Sequence, residues 1–516
     1  LPITSTILDV ALVRPDQLAL AGSEARLSYG ELVDDSRVAF AVVDSLHRAQ
    51  PEPPRPAPET QGIPITAVST TSAFFTARII AGLAGYRAVS ATIDPRWPLD
   101  HQVGVIRTTG IGLVISESRT LAEALAAAGW TGTVITPAEF ATREAQVRSA
   151  GTPAPAPTVR EASEPFLMLF SSGTTSNPKA FIKTRQQYRD NVAVSSAHLE
   201  PLPEVATLAP GPVSYSLTLY AVIESLATGG SVHVADDFDP FTMGPRIADE
   251  AITRIVAVPA VVKALAEAAG RSPDRFHGLD LLVTGGANLP ASIRDRLAEV
   301  LPEARLISYY GAAEIGFIGD SRAGDGTWIT VYDSIGAEVR GDDGQPLPDG
   351  EIGTLWIRAA ACSDGYVTGT TDAQLQGPDG WASVGDQGRI EGGLLQLAGR
   401  AGDIAITGGH KVSLPEVERA FETCPRLGEA CAIALPDDSL GSIVALVIET
   451  GSATGAGLAP SVPGKAALLA HARARLAPQF VPRRFYLIDR LPRTVGGKIR
   501  RTEATELITN GQGQRL

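Results

Sequence analysis

Short apolar runs that alternate with amphipathic segments constrain this chain more than any other feature. Residues 65–69, 112–116, 133–135, 166–170, 231–234, 254–258, 279–283 and 305–308 read as buried strands. Between them lie helix-like stretches, among them 33–46 and 74–84, the latter with an apolar stripe. Continuous apolar strands spaced by amphipathic helices imply parallel sheets with helices on their faces. From about residue 329 the pattern changes to shorter strands and Gly/Asp turns such as Gly341-Asp342-Asp343-Gly344. That change predicts a smaller antiparallel β layer. A last segment, from about Asp403, has an α+β pattern of its own. The expected fold class is α/β, and 516 residues suffice for two or more domains with large cores.

Composition narrows the function classes. A formal charge of −13 argues against a nucleic-acid partner or an anionic membrane surface. No apolar run approaches the roughly 18 residues of a membrane span. The start, Leu1-Pro2-Ile3-Thr4, lacks the basic and apolar regions of a signal peptide. Cys362, Cys424 and Cys431 show no ligand spacing and read as small residues in a reducing compartment. A cytoplasmic protein is expected. The Pro-rich stretches 51–58 and 150–157 read as exposed linkers, and the prolines of Ile93-Asp94-Pro95-Arg96-Trp97-Pro98 fix an extended turn.

The strand at 166–170 runs into Ser171-Ser172-Gly173-Thr174-Thr175-Ser176-Asn177-Pro178-Lys179. Hydroxyls, an unhindered glycine backbone and a terminal lysine are what a polyphosphate needs. Taken alone, the stretch also reads as a solvated Ser/Thr-rich turn. It lacks the Gly-Lys-Ser/Thr ending of a Walker loop. Downstream come Thr284-Gly285-Gly286-Ala287, Tyr309-Tyr310-Gly311-Ala312-Ala313-Glu314, Val384-Gly385-Asp386 and Gly399-Arg400-Ala401-Gly402-Asp403. Gly408-Gly409 and Pro492-Arg493-Thr494-Val495-Gly496-Gly497-Lys498 complete the set. Singly, each has an ordinary reading: a loop carboxylate, a turn aspartate, a glycine turn, a basic tail. The Tyr309 motif follows a strand, and open α/β sheets bind ligands at the carboxyl ends of their strands.

In this order the motifs resemble those of the adenylate-forming superfamily: acyl-CoA synthetases, luciferases and nonribosomal peptide synthetase adenylation domains. Residues 27–32 and 93–98 extend the resemblance to essentially the whole chain. It implies a large N-terminal adenylation domain (1–399), a hinge (400–403) and a small, mobile α+β C-terminal domain (404–516). It implies ATP and Mg²⁺, with Lys498, Glu314 and Thr174 as the catalytic set and Glu314 on the metal. Nucleotide contacts fall to Ser171, Ser172, Gly173, Thr174, Thr175, Lys179, Gly286, Ala287, Tyr309, Tyr310, Gly311, Asp386, Arg400 and Lys498. By the same resemblance Tyr310 packs on adenine, Asp386 accepts from the ribose hydroxyls, and Lys498 bridges carboxylate and α-phosphate. Ser176, Ala313, Val384 and Gly402 stand where the family has Gly, Thr, Thr and Asp or Lys.

Tyr215, Ser216, Leu219, Gly285, Gly311 and Ile315 are the expected substrate contacts. Relatives that activate α-amino acids hold the ammonium with an aspartate, and Ser216 aligns there. A hydroxyl cannot balance a buried cation. The expected substrate is therefore an aryl or acyl acid, with Leu217, Leu219, Val222, Ile315 and Phe317 read either as an apolar wall or as ordinary core. No carrier domain follows Lys498, so the expected acceptor is the thiol of coenzyme A or the phosphopantetheine of a separate acyl carrier protein. A non-catalytic nucleotide-binding protein is the rival reading. Lys179, Glu314, Asp386, Arg400 and Lys498 all standing in place argue against it.

Overall fold

The computed structural model describes residues 3–516 apart from 172–177, 237, 287–288, 323–327, 408–409, 438–439, 452–461, 495–497 and the side chains of 401, 411 and 441. Three sheets organise it. In the largest, parallel strands lie in the order Arg305–Ala312, Leu281–Thr284, Arg254–Ala257, Ala206–Pro210, Ser231–Ala235 and Leu18–Ala21. A second, formed by residues 65–184, has five strands in parallel and the antiparallel Lys179–Thr184 at its edge. The third is built from residues 404–515 and encloses its own apolar clusters around Val412, Phe421, Leu446 and Phe485.

The β layer expected after residue 329 is present as antiparallel strands Gly336–Arg340, Gly353–Arg358, Asp386–Glu391 and Leu394–Arg400. It is not a separate sheet. Trp328–Val331 pairs with Gly316–Ser321 on one side and Leu394–Arg400 on the other, which fuses the layer to the parallel sheet. This fusion brings Asp386 and Arg400 to the Tyr310 strand.

Two boundaries differ from the sequence pattern for identifiable reasons. The helix expected at 33–46 begins earlier, as Tyr29–Arg48, because Ser28 and Glu31 form a reciprocal capping box. The strand expected at 305–308 runs on to Ala312, because Gly316–Ser321 folds back and pairs with it. The Tyr309 motif is therefore itself strand, with a register shift at Tyr310/Gly311, and Glu314 lies in the tight turn that follows.

The helix Ser216–Thr228 is buried on nearly every side, as expected for one apolar all round. Its one carboxylate, Glu224, is paired at 2.7 Å with the fully buried Arg254, which also donates to the Leu199 carbonyl at 3.0 Å. An unpaired charge at that depth would cost several kcal/mol, of order 3–5. The pair fixes the helix against the sheet, and with it the segment that carries Tyr215 and Ser216.

Candidate active site

The edge ladder of the second sheet closes with Ser171 opposite Lys179. The loop between them is thus held at both ends, and Trp97 packs edge-on against Phe170 at its base, 5.7 Å between ring centres. Ser172, Gly173, Thr174, Thr175 and Ala287 lie outside the described residues. Lys179 sits over the Tyr366 ring, its Nζ 5.2 Å from the centre. The Tyr366 hydroxyl donates to Glu314 Oε1 at 3.1 Å. The loop's terminal lysine and Glu314 are therefore joined through one aromatic side chain.

Glu314 is 6 % exposed. Its carbonyl accepts from Lys183 Nζ at 2.7 Å and from the Ser363 amide at 2.8 Å. Its Oε2 accepts no hydrogen bond among the described residues. One carboxylate oxygen anchored and one left over suits a hard divalent cation that takes most of its ligands from phosphate and water. Burial pushes the Tyr366 phenol upward, so it remains a donor to this carboxylate.

A second group forms where the β layer meets the parallel sheet. Tyr310 donates its hydroxyl to Asp386 Oδ2 at 2.7 Å. Arg400, directly across the ladder from Asp386, donates Nε to Oδ1 at 3.2 Å. Gly385, with φ +83°, supplies the left-handed turn that delivers Asp386 to the first position of its strand. Lys498 joins this group. Lys498 is exposed, and its ammonium lies within electrostatic reach of Arg400 and Asp386. Desolvation first, and then the Arg400 charge, lower its pKa against the pull of Asp386. Thr494 ties Lys498, whose carbonyl accepts from Thr494 N at 2.7 Å and whose amide donates to Thr494 Oγ1 at 3.1 Å.

Neighbouring residues on a strand face opposite ways, and Tyr309 and Tyr310 do so here. Tyr309 turns into the core against Phe317, with ring centres 5.0 Å apart. A Cβ on Gly285 would lie 2.4 Å from the Tyr309 ring, so that glycine is accounted for by the tyrosine's packing. Gly286 is left-handed at φ +80°, and a Cβ there would meet nothing within 4 Å among the described residues. A Cβ on Gly311 would strike the Gly316 carbonyl at 2.6 Å, so the bulge itself requires glycine.

Among the expected substrate contacts, Leu219 and Ile315 are 0 % and 1 % exposed and belong to the main core, together with Leu217, Val222 and Phe317. Tyr215 caps the buried helix and Ser216 opens it. Burial, and then the nearby Asp94 carboxylate, push the Tyr215 phenol up to about 12. Asp94 is itself held by Arg96, at 2.9 Å from each of Nε and Nη2. Asp94, Arg96, Lys183 and Tyr366 carry no site role in the sequence reading. Asp94 and Arg96 lie in the 93–98 stretch that extends the resemblance, and the Lys179/Lys183 spacing puts both lysines on one face of a strand.

Two family models match this chain. That for AMP-binding enzymes covers residues 65–367, and that for the AMP-binding enzyme C-terminal domain covers 416–498. The 4-chlorobenzoate–CoA ligase of Arthrobacter sp is 26% identical over 514 residues, 96% of this chain and 93% of that protein. An uncharacterized acyl–CoA ligase of Bacillus subtilis (strain 168), YhfT, is 28% identical over 360 residues, 69% of this chain and 71% of its own length. In fold, the chain superposes on ATP-bound MatB from Rhodopseudomonas palustris with a TM-score of 0.84 at 21% identity, covering 99% of both chains. No helix among the described residues is long and apolar enough to cross a membrane. The chain belongs to the AMP-binding enzymes of the adenylate-forming superfamily and is an AMP-forming acid–thiol ligase.

Proposed function

We propose that the protein joins an aryl or acyl carboxylic acid lacking an α-ammonium to coenzyme A, through an acyl adenylate. The observation that carries the substrate class is the pairing at the mouth of the buried helix. Residues 208–223 contain no acid, and Asp94, whose carboxylate acts on Tyr215, is already engaged by Arg96. An α-ammonium entering there would be desolvated without a free counter-charge. The nearly full-length likeness to a 4-chlorobenzoate–CoA ligase supports coenzyme A as the acceptor.

In the first half-reaction the carboxylate attacks the α-phosphorus of ATP and pyrophosphate leaves. Asp386 and Arg400 hold the ribose, Tyr310 braces Asp386 and stacks on adenine, and the loop from Ser171 to Lys179 holds the phosphates. Lys498 neutralises charge developing between carboxylate and α-phosphate, and such preorganised contacts carry most of a reaction of this type. Glu314 is the residue that would hold Mg²⁺, which when bound neutralises phosphate charge. In the second half-reaction a thiol attacks the mixed anhydride and AMP leaves. Between the halves, the unit 404–516 turns on 1–399 about residues 400–403. Asp403 bridges the two sides, its Oδ1 accepting from Arg501 at 2.6 Å and its Oδ2 from the Arg400 amide at 3.1 Å. Exposed Gly402, where a Cβ would meet nothing within 4 Å among the described residues, is the residue best suited to act as the pivot.

ATP–pyrophosphate exchange with a matched pair, a 3-arylpropanoic acid and its α-amino analogue, tests the substrate class. The plain acid should be preferred by about 100-fold or more in kcat/KM, the equivalent of roughly 3 kcal/mol of uncompensated desolvation. Equal or better use of the amino acid would overturn it. Thioester formation with coenzyme A, followed by mass spectrometry, tests the acceptor.

A further inference from the structure

Lys183 is among the largest fully buried side chains, 1 % exposed, and among the described residues its amine has only main-chain acceptors. Nζ donates to the Glu314 carbonyl at 2.7 Å and to the Ala361 carbonyl at 2.6 Å. The Ser363 amide reaches the same Glu314 carbonyl at 2.8 Å. Lys183 thus clamps the turn that bears Glu314 to the 361–363 segment. The segment continues to Tyr366, whose backbone bridges Phe181 and whose hydroxyl holds the Glu314 carboxylate at 3.1 Å. Lys179, Phe181 and Lys183 share one face of their strand. That face therefore reaches Glu314 twice, through the main chain by Lys183 and toward the carboxylate by way of Tyr366.

Packing alone does not account for a lysine here. A methionine would fill the same volume without desolvating an amine, and buried polar groups are costly unless they make bonds that matter. An amine donates both bonds whether or not it carries the extra proton, so the clamp does not depend on its charge. The turn is also tied at its flanks, where Tyr220 Oη donates to the Ala313 carbonyl at 2.7 Å and Phe317 N donates to Asn191 Oδ1 at 3.1 Å. Between these ties, Lys183 holds the carbonyl of Glu314 itself, together with the Ser363 amide.

We propose that Lys183 and Tyr366 are positioning residues for Glu314, Lys183 orienting its peptide and Tyr366 its carboxylate. The inference rests on Glu314 lying at the nucleotide–metal site. Mn²⁺ binding in the presence of a non-hydrolysable ATP analogue, read by electron paramagnetic resonance, tests it without turnover. Outer partners of a metal ligand set its orientation, and their loss typically weakens the metal about tenfold or more. Lys183→Met should weaken Mn²⁺ by that factor and Tyr366→Phe by less. Lys183→Gln, which keeps a donor for one carbonyl, should fall between Lys183→Met and the parent. Combining either change with Glu314→Gln should add nothing to Glu314→Gln alone. Weakening by Glu314→Gln with parental affinity in Lys183→Met and Tyr366→Phe would overturn the inference and leave the reading of Glu314 intact. So would lowered melting temperatures with unchanged Mn²⁺ affinity, or additive effects in the double variants. Parental affinity in Glu314→Gln would refute the metal reading and the inference together. If Lys183→Met does not fold, Lys183→Gln and Tyr366→Phe carry the same comparison.

Discussion

Replacing Asp386 with asparagine separates a nucleotide contact from a structural brace. In the folded chain both carboxylate oxygens already have a donor, Tyr310 Oη at 2.7 Å and Arg400 Nε at 3.2 Å. A carboxylate has about four acceptor positions, so two remain for a ribose diol. Asparagine keeps one acceptor oxygen, which can take the Arg400 N–H, and turns the other position into a donor. Tyr310 can rotate its hydroxyl and accept from that amide. The internal bonds therefore survive in altered form, and the loss falls on the ribose. One charge-assisted bond lost is about 1.5–3 kcal/mol, or roughly 10- to 150-fold in affinity.

The assay is pyrophosphate exchange at saturating acid with ATP, 2′-deoxy-ATP and 3′-deoxy-ATP. In the parent, each missing hydroxyl should cost an amount of that order. In Asp386→Asn, KM for ATP should rise by a similar factor, and at least one of the two deoxy penalties should shrink to within about 0.5 kcal/mol of zero, as expected when the partner is already gone. If both penalties persist unchanged in the variant, Asp386 does not meet the ribose, and its bonds to Tyr310 and Arg400 serve only to join the β layer to the parallel sheet.

Lys498→Ala should lower kcat for adenylate formation by about 10²–10³ while KM for ATP changes little, since the contact is made as charge develops; near-normal pyrophosphate exchange would remove Lys498 from the mechanism. Burial pushes His47, bonded to Thr66 Oγ1 at 3.0 Å, down to about 4 against the pull of Asp44. The unfolded chain takes up this proton near pH 6.5 and the folded one only near 4, so stability should be complete above about pH 6.5 and decline as pH falls toward 4, by up to about 3 kcal/mol. Urea midpoints across that window should decline less in His47→Gln, and parallel curves for variant and parent would show that His47 does not contribute.

The strands at 65–69 and 133–135 were legible to the residue because apolar runs bounded by polar turns leave little choice of register. Element ends were less so. The early start of Tyr29–Arg48 depends on a reciprocal cap between Ser28 and Glu31, and the extension to Ala312 depends on pairing with a strand that follows it. The direction in which Tyr309 and Tyr310 point is implicit in strand alternation, but only once both residues are known to be strand. Read as a loop after the strand, the motif does not show that the Tyr309 ring packs on Phe317 while the Tyr310 hydroxyl meets Asp386.

What periodicity could not reach is the set of contacts made between elements. Lys179–Thr184 reads Lys-Ala-Phe-Ile-Lys-Thr, and alternation places its two lysines on one face. On an ordinary edge strand that face would be taken as solvated. Here the 361–366 segment crosses it, so one lysine lies against an aromatic ring and the other is fully enclosed among carbonyls. The covering segment lies about 180 residues downstream, in a stretch with no periodic signal. Tyr366 is hidden for the same reason, since only the fold makes it the link between Lys179 and Glu314. The residue types proposed to touch ATP are therefore announced by local motifs, because phosphates and ribose demand particular groups. The residues that aim them answer only to tertiary geometry, and Lys183, bonded to two backbone carbonyls, could be recognised only after that geometry was in hand.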